Sequence, residues 1–306
     1  MFLENNSFNV FGTFKSKTDR NTTPYSTSEI KVRPDLLQRT PNKDEVIKNG
    51  AKTLSKSQTN ILLGIGAAGI ALAGVLFGHG VNKSNQVKDL EKIEVKFSEL
   101  EQNLPEVKKT FSEVFMREDI TDEEALEMLH RYKEIEKIGV TGTKEEYAQA
   151  MFEEGKKNFG LSHLPSELTL VDKPIRGDER ILGITDPLGN IQIKSTIRNS
   201  HLSDTIHHEL RHLKQHYYAY NLSPDEYVKA SQPKNTTIPK EVFDFAFCGE
   251  ANIDNIPPEH MEFAENSLKS TLSYKSVLKN EQGYFAQWAE RDAYKTGQQI
   301  NALLRH

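Results

Sequence analysis

The chain has 306 residues, enough for one or two domains with a sizeable core. Its 44 acidic and 39 basic side chains give a formal net charge of −5, with no basic tract, which excludes nucleic acid as a partner held by bulk charge. A single cysteine, Cys248, excludes an intramolecular disulfide and a Cys-rich zinc ribbon, and reads as a small buried apolar residue.

Residues 1–60 are rich in Ser, Thr, Asn and Lys, and Pro24, Pro34 and Pro41 interrupt any helix, so a disordered N-terminal arm is expected. Its start, Met1-Phe2-Leu3-Glu4-Asn5, lacks the basic and apolar regions of a cleavable signal peptide. Residues 61–78 read ILLGIGAAGIALAGVLFG, without a charge. As a helix this run rises about 27 Å, close to the hydrocarbon thickness of a bilayer. A single-pass transmembrane helix is therefore expected over 61–80, with membrane localisation. Gly74 and Gly78 form a GxxxG pair on which a homodimer can pack. Lys43, Lys48, Lys52 and Lys56 before the run balance Lys83, Lys88, Lys92 and Lys96 after it, which leaves the orientation undecided.

From 81 to 160 the chain is charged and helical. Leu90, Ile93, Phe97, Leu100 and Leu104 recur at helical spacing, and Pro105 interrupts that helix or starts the next. Thr121 to Glu124 reads as a capping box. The helix that follows buries Ala125, Leu126, Leu129, Tyr132 and Ile135, and Gly139 stops it. Another helix runs from Lys144 to Phe159. The segment is expected to be a helical stem, a spacer before the domain at 161–306.

That last domain is expected to be α+β. Leu168–Val171 alternates like a strand. Ile181–Thr185 and Ile191–Ser195 flank the turn sequence Asp186-Pro187-Leu188-Gly189-Asn190, which predicts a hairpin. Ser203 is expected to cap a helix with the apolar stripe Ile206, Leu210, Leu213 and Tyr217. His208, Glu209, His212 and His216 lie on an adjoining flank, and Arg211 and Lys214 point away, toward solvent.

The motif is His208-Glu209-Leu210-Arg211-His212. Imidazoles four residues apart on a helix share a face and can grip one metal ion, with the carboxylate of Glu209 beside them. A catalytic zinc takes three protein ligands and leaves a position for water, so a third ligand must come from elsewhere. A final helix is expected over 281–304. It contains Glu290 and, three residues on, the small Ala293, which allows close approach to the histidine helix. Glu290 is preferred on that ground to Glu250, Glu265 and Glu281. His216, one turn past His212, reads as a surface or supporting residue.

On His208-Glu209-Leu210-Arg211-His212 and Glu290-Arg291-Asp292-Ala293, the region 165–306 resembles the zincin metallopeptidases of the two-histidine, one-glutamate group. The resemblance implies a small sheet beside two zinc-bearing helices, with the strand Ile191–Ser195 lining the substrate cleft. Some members place an aspartate four residues after the glutamate ligand to hold the first histidine; here that position is Tyr294. The implied chemistry is hydrolysis of a peptide or protein substrate, with zinc on His208, His212 and Glu290 and with Glu209 as general base. Tyr284, Tyr294 and Tyr217 are candidate donors to the developing oxyanion. The alternative is a non-catalytic, membrane-tethered interaction protein with a metal-binding or degenerate zincin-like domain.

Overall fold

The computed structural model describes residues 83–233, 237–275 and 281–305. The arm expected over 1–60 and the span expected over 61–80, with Gly74 and Gly78, lie outside them. Among the described residues no helix is long and apolar enough to cross a membrane, which overturns the membrane localisation expected from the sequence. The described helices are too charged for a bilayer: α1 (Lys83–Gln102) reads KSNQVKDLEKIEVKFSELEQ and buries only Ile93 and Phe97.

What is described is a mixed α+β fold, mostly helical, with a small three-stranded sheet. α2 (Leu104–Phe115) has Pro105 in its first turn, where a missing N–H costs nothing. α3 (Asp122–Thr141) is capped by Thr121, whose hydroxyl accepts from Glu124 N at 3.1 Å. The reciprocal half of that box is not made, because the Glu124 carboxylate turns to Arg117 at 2.6 Å. The complete box is Thr143 with Glu146, at the start of α4 (Lys144–Asn158). Gly139 does not stop α3, which continues to Thr141. It gives room instead to the Tyr147 ring, 3.2 Å from where a Cβ would stand.

β1 (Leu168–Val171), β2 (Gly183–Thr185) and β3 (Ile191–Lys194) make the sheet. β2 and β3 form the expected antiparallel hairpin, with Gly183 opposite Ile193. Its turn is tied by Asp186, which accepts from Leu188 N and Asn190 N, with Gly189 at φ 82°. β1 pairs parallel with β3, so the order is β1-β3-β2. β3, the strand expected to line a cleft, is therefore central, and both its edges are already paired. The edge strands are β1 and β2.

The motif lies on α5 (Asn199–Leu222), which starts a turn earlier than expected; Ser203 is inside it and buried. α6 (Pro224–Ala230), α7 (Lys240–Ala246) and α8 (Met261–Leu272) follow. The helix expected over 281–304 is broken at Ala286 and Gln287 into α9 (Glu281–Phe285) and α10 (Trp288–Leu304). Cys248 is exposed rather than buried, at φ 63°, and donates its thiol to His163 O.

The helices of 83–158 do not stand apart as a spacer. Phe111, Phe115, Tyr132 and Phe152 share one buried core with Ile206, Leu210 and Leu213 of α5. Arg211 and Lys214, expected to be solvated, are 5% and 3% exposed. Arg211 Nη1 donates to Val114 O at 3.1 Å, and Lys214 Nζ donates to Phe115 O at 2.9 Å. These are last-turn carbonyls of α2, without helical partners, and the two side chains serve them as donors, although burial and the neighbouring Arg211 lower the Lys214 pKa to about 7. Where α4 crosses α5, a Cβ on Gly155 would stand 2.6 Å from Leu210 Cδ1.

His207 is fully buried at the same crossing. Its Nδ1 lies 2.8 Å from Ser203 O, and its Nε2 lies 2.9 Å from the Tyr132 hydroxyl, which accepts from Asn158 Nδ2 at 3.3 Å. A carbonyl only accepts, so Nδ1 carries the hydrogen and Nε2 accepts from Tyr132. Burial holds this imidazole neutral and lowers its pKa to about 4.

Candidate metal centre

One residue further along α5 the surroundings change. His208 and His212 stack edge to face with centroids 4.7 Å apart, and their Nε2 atoms stand 3.1 Å apart. Glu290, in the first turn of α10, brings Oε2 to 3.6 Å from His208 Nε2 and 3.4 Å from His212 Nε2. Four ligands at about 2.0–2.1 Å in a tetrahedron are about 3.3–3.4 Å apart, so these three atoms fit three corners of a zinc site. Two imidazole nitrogens and a carboxylate oxygen are also donors that zinc accepts. Among the described residues this is the one group of three or more such side chains that could hold a metal ion.

Charge reinforces the arrangement. Burial pulls the His212 pKa down, but the charge and hydrogen bond of Glu290, with the charge of Glu209 and the Gln215 amide, together outweigh it and raise the value to about 9. Burial pushes Glu290 up, and the two histidines more than reverse that, leaving it well below the usual carboxylate range.

The competing acids are elsewhere. Glu281 is exposed and 3.5 Å from Arg180 Nη1, Glu265 is exposed beside Lys269, and Glu250 is exposed in a loop. What brings Glu290 in is the fit of α10 on α5. Ala293 is fully buried, and one turn later a Cβ on Gly297 would stand 2.6 Å from Asp204 O. Ala293 was legible as the small residue at this contact; Gly297 makes the closer approach and was missed. His216 stays outside the group. Its ring meets Tyr227 edge-on at 5.8 Å, and burial lowers it to about 3.

Glu209 is 4% exposed, beside the sheet edge. Thr185 Oγ1 stands 2.9 Å from its Oε2 and 2.8 Å from its own carbonyl, so one hydroxyl hydrogen serves the carboxylate and the backbone of one residue. Its Oε1 lies 2.7 Å from where a Cβ of Gly183 would be, which explains a glycine there. Of the three tyrosines raised by the sequence, Tyr294 is exposed and Tyr217 packs in the core against His163 and Phe247. Tyr284 borders the site: burial and a hydrogen bond to Glu290 raise its pKa far above the usual phenol value. Tyr274, half exposed and edge-on to Tyr284 at 6.3 Å, was missed. Burial and the charges of Glu290 and Glu209 raise it to about 12.

Two more residues escaped the sequence reading. The Gln215 Oε1 stands 2.8 Å from His212 Nδ1. Asp292, two residues after Glu290, accepts Gln215 Nε2 at 2.9 Å and both Arg211 Nε and Nη2, at 2.6 and 2.8 Å. The position four residues after Glu290 is the exposed Tyr294, so the supporting aspartate of some zincins has no counterpart there.

Compared with family models, with characterised proteins and with solved structures, this chain matches none.

Proposed function

We propose that this chain is a zinc-dependent peptidase of zincin type, with His208, His212 and Glu290 as metal ligands and Glu209 as general base. The observation that carries the reading is the triangle of donor atoms, 3.1, 3.4 and 3.6 Å on its sides, with a glutamate adjoining the first histidine. A zinc ion held there lowers the pKa of a bound water and polarises a carbonyl.

The chain's own residues supply the rest. Thr185 aims the Glu209 carboxylate, and Glu209 accepts a proton from the attacking water as its oxygen bonds to the carbonyl carbon. When the carbon–nitrogen bond breaks, Glu209 delivers that proton to the leaving amine. Tyr274, neutral at physiological pH, borders the site as an O–H donor to the carbonyl oxygen. A peptide substrate is favoured because β2, next to Glu209, is a sheet edge with backbone groups that an extended chain can pair with.

Glu209→Gln tests the reading. The full chain is expected to keep one zinc per molecule by elemental analysis while peptide hydrolysis falls by about 10²–10⁴-fold. Undiminished hydrolysis in that variant removes Glu209 as the base. Absence of bound zinc in the wild-type chain removes the metallopeptidase reading.

A further inference from the structure

His212 needs a free Nε2 to serve as a ligand, so its hydrogen must sit on Nδ1. The groups behind the ring decide this. The Gln215 amide, 5% exposed, faces three partners: His212 Nδ1 at 2.8 Å, Ala289 O at 3.1 Å and Asp292 Oδ2 at 2.9 Å. The last two only accept, so they bind the NH2 end of the amide. Turning the amide over would aim its oxygen at two other oxygens. Its Oε1 is therefore left facing Nδ1, where it accepts a hydrogen and cannot give one.

Asp292 is fixed in turn. Both its oxygens are held by Arg211, which is buried under the Phe263 ring, its guanidinium carbon 4.6 Å from the centroid. Arg211 also donates to Val114 O. The orientation of Gln215 is thus set by a chain of partners that starts at the end of α2.

We propose that Gln215 is a positioning residue that locks His212 in its Nδ1–H form and turns Nε2 toward the site. The inference rests on reading His208, His212 and Glu290 as metal ligands. A neutral amide in this place fixes the tautomer without adding a second negative charge beside Glu290. It also joins the two halves of the site, because its other partners, Ala289 and Asp292, flank Glu290 on α10. Outer partners of this kind typically contribute 10–100-fold in metal affinity.

The test is Gln215→Leu, which keeps the bulk of the side chain and removes its polar end. Two properties of the full chain are read. One is zinc affinity at neutral pH, by competition with a chromogenic chelator. The other is the imidazole ¹⁵N spectrum of His212 in metal-free protein, followed to high pH until the ring is neutral. Wild type is expected to show the Nδ1–H form. The variant is expected to shift toward Nε2–H, the form a free imidazole side chain prefers, and to bind zinc 10–100-fold more weakly. An unchanged tautomer in the variant overturns the proposal, whatever happens to thermal stability. A wild-type chain that binds no zinc defeats the metal reading, and the tautomer measurement still decides the role of Gln215.

Discussion

Two consecutive histidines on α5 have opposite surroundings. His207 lies in a closed chain of donors and acceptors, from Asn158 through Tyr132 to Ser203 O, and its ring is wholly out of water. His208 turns its Nε2 toward another imidazole and a carboxylate, three acceptor atoms with too few hydrogens among them. The first arrangement is complete as it stands; the second is stable only with a cation, a proton or a metal ion, between its lone pairs. Residue type says little about role here. What decides is whether the atoms around a ring nitrogen already satisfy it.

The largest test of this contrast replaces each histidine by alanine. His208→Ala is expected to abolish zinc binding, measured by elemental analysis, with little change in the thermal midpoint of the metal-free chain. His207→Ala is expected to cost about 3 kcal/mol by denaturant titration, from the cavity and the stranded Tyr132 hydroxyl, while zinc binding survives. If both variants lose stability equally and keep zinc, the contrast is false.

Acid should separate the two rings next. His207 has a pKa of about 4 when folded and about 6.5 when unfolded, so the unfolded chain binds its proton first. Its contribution is fully present above pH 6.5 and is lost as pH falls toward 4, about 3 kcal/mol in all. His207→Gln is expected to flatten that limb of the stability profile. His212 runs the other way. In the metal-free chain it keeps a proton up to about pH 9, and zinc must displace it. Apparent zinc affinity is therefore expected to rise about tenfold per pH unit toward pH 9, in competition titrations.

The smallest effect expected is that of Tyr132→Phe. It removes one hydroxyl and leaves His207 Nε2 without a donor, at a cost of about 1–2 kcal/mol by thermal unfolding, with zinc affinity unchanged.

How much of this was legible depends on the distance over which each feature is determined. Thr121 capping its helix, the hairpin around Asp186 and the pairing of His208 with His212 are local, and local spacing found them. Glu290 was reachable because a small residue one turn away signals close packing. The burial of Arg211 and Lys214 was not, because their partners are carbonyls some hundred residues earlier and long cations usually sit in water. The central place of β3 depends on parallel pairing with a strand outside the hairpin, which alternation does not encode. The break before α10 was missed since Ala286 and Gln287 look helical. There the Gln287 side chain pairs with the backbone of Lys275 instead, donating to its oxygen at 2.9 Å and accepting its N–H at 2.7 Å.

The two side chains that donate to the end of α2 have a consequence for any attempt to trim the protein. A fragment beginning near residue 161 would leave Arg211 and Lys214 with no helix end to cover and His207 with no phenol, exposing in one stroke most of the underside of the helix that carries the histidines. The half that carries His208, His212 and Glu290 is therefore not a detachable cassette, and its boundary has to be drawn upstream of residue 104.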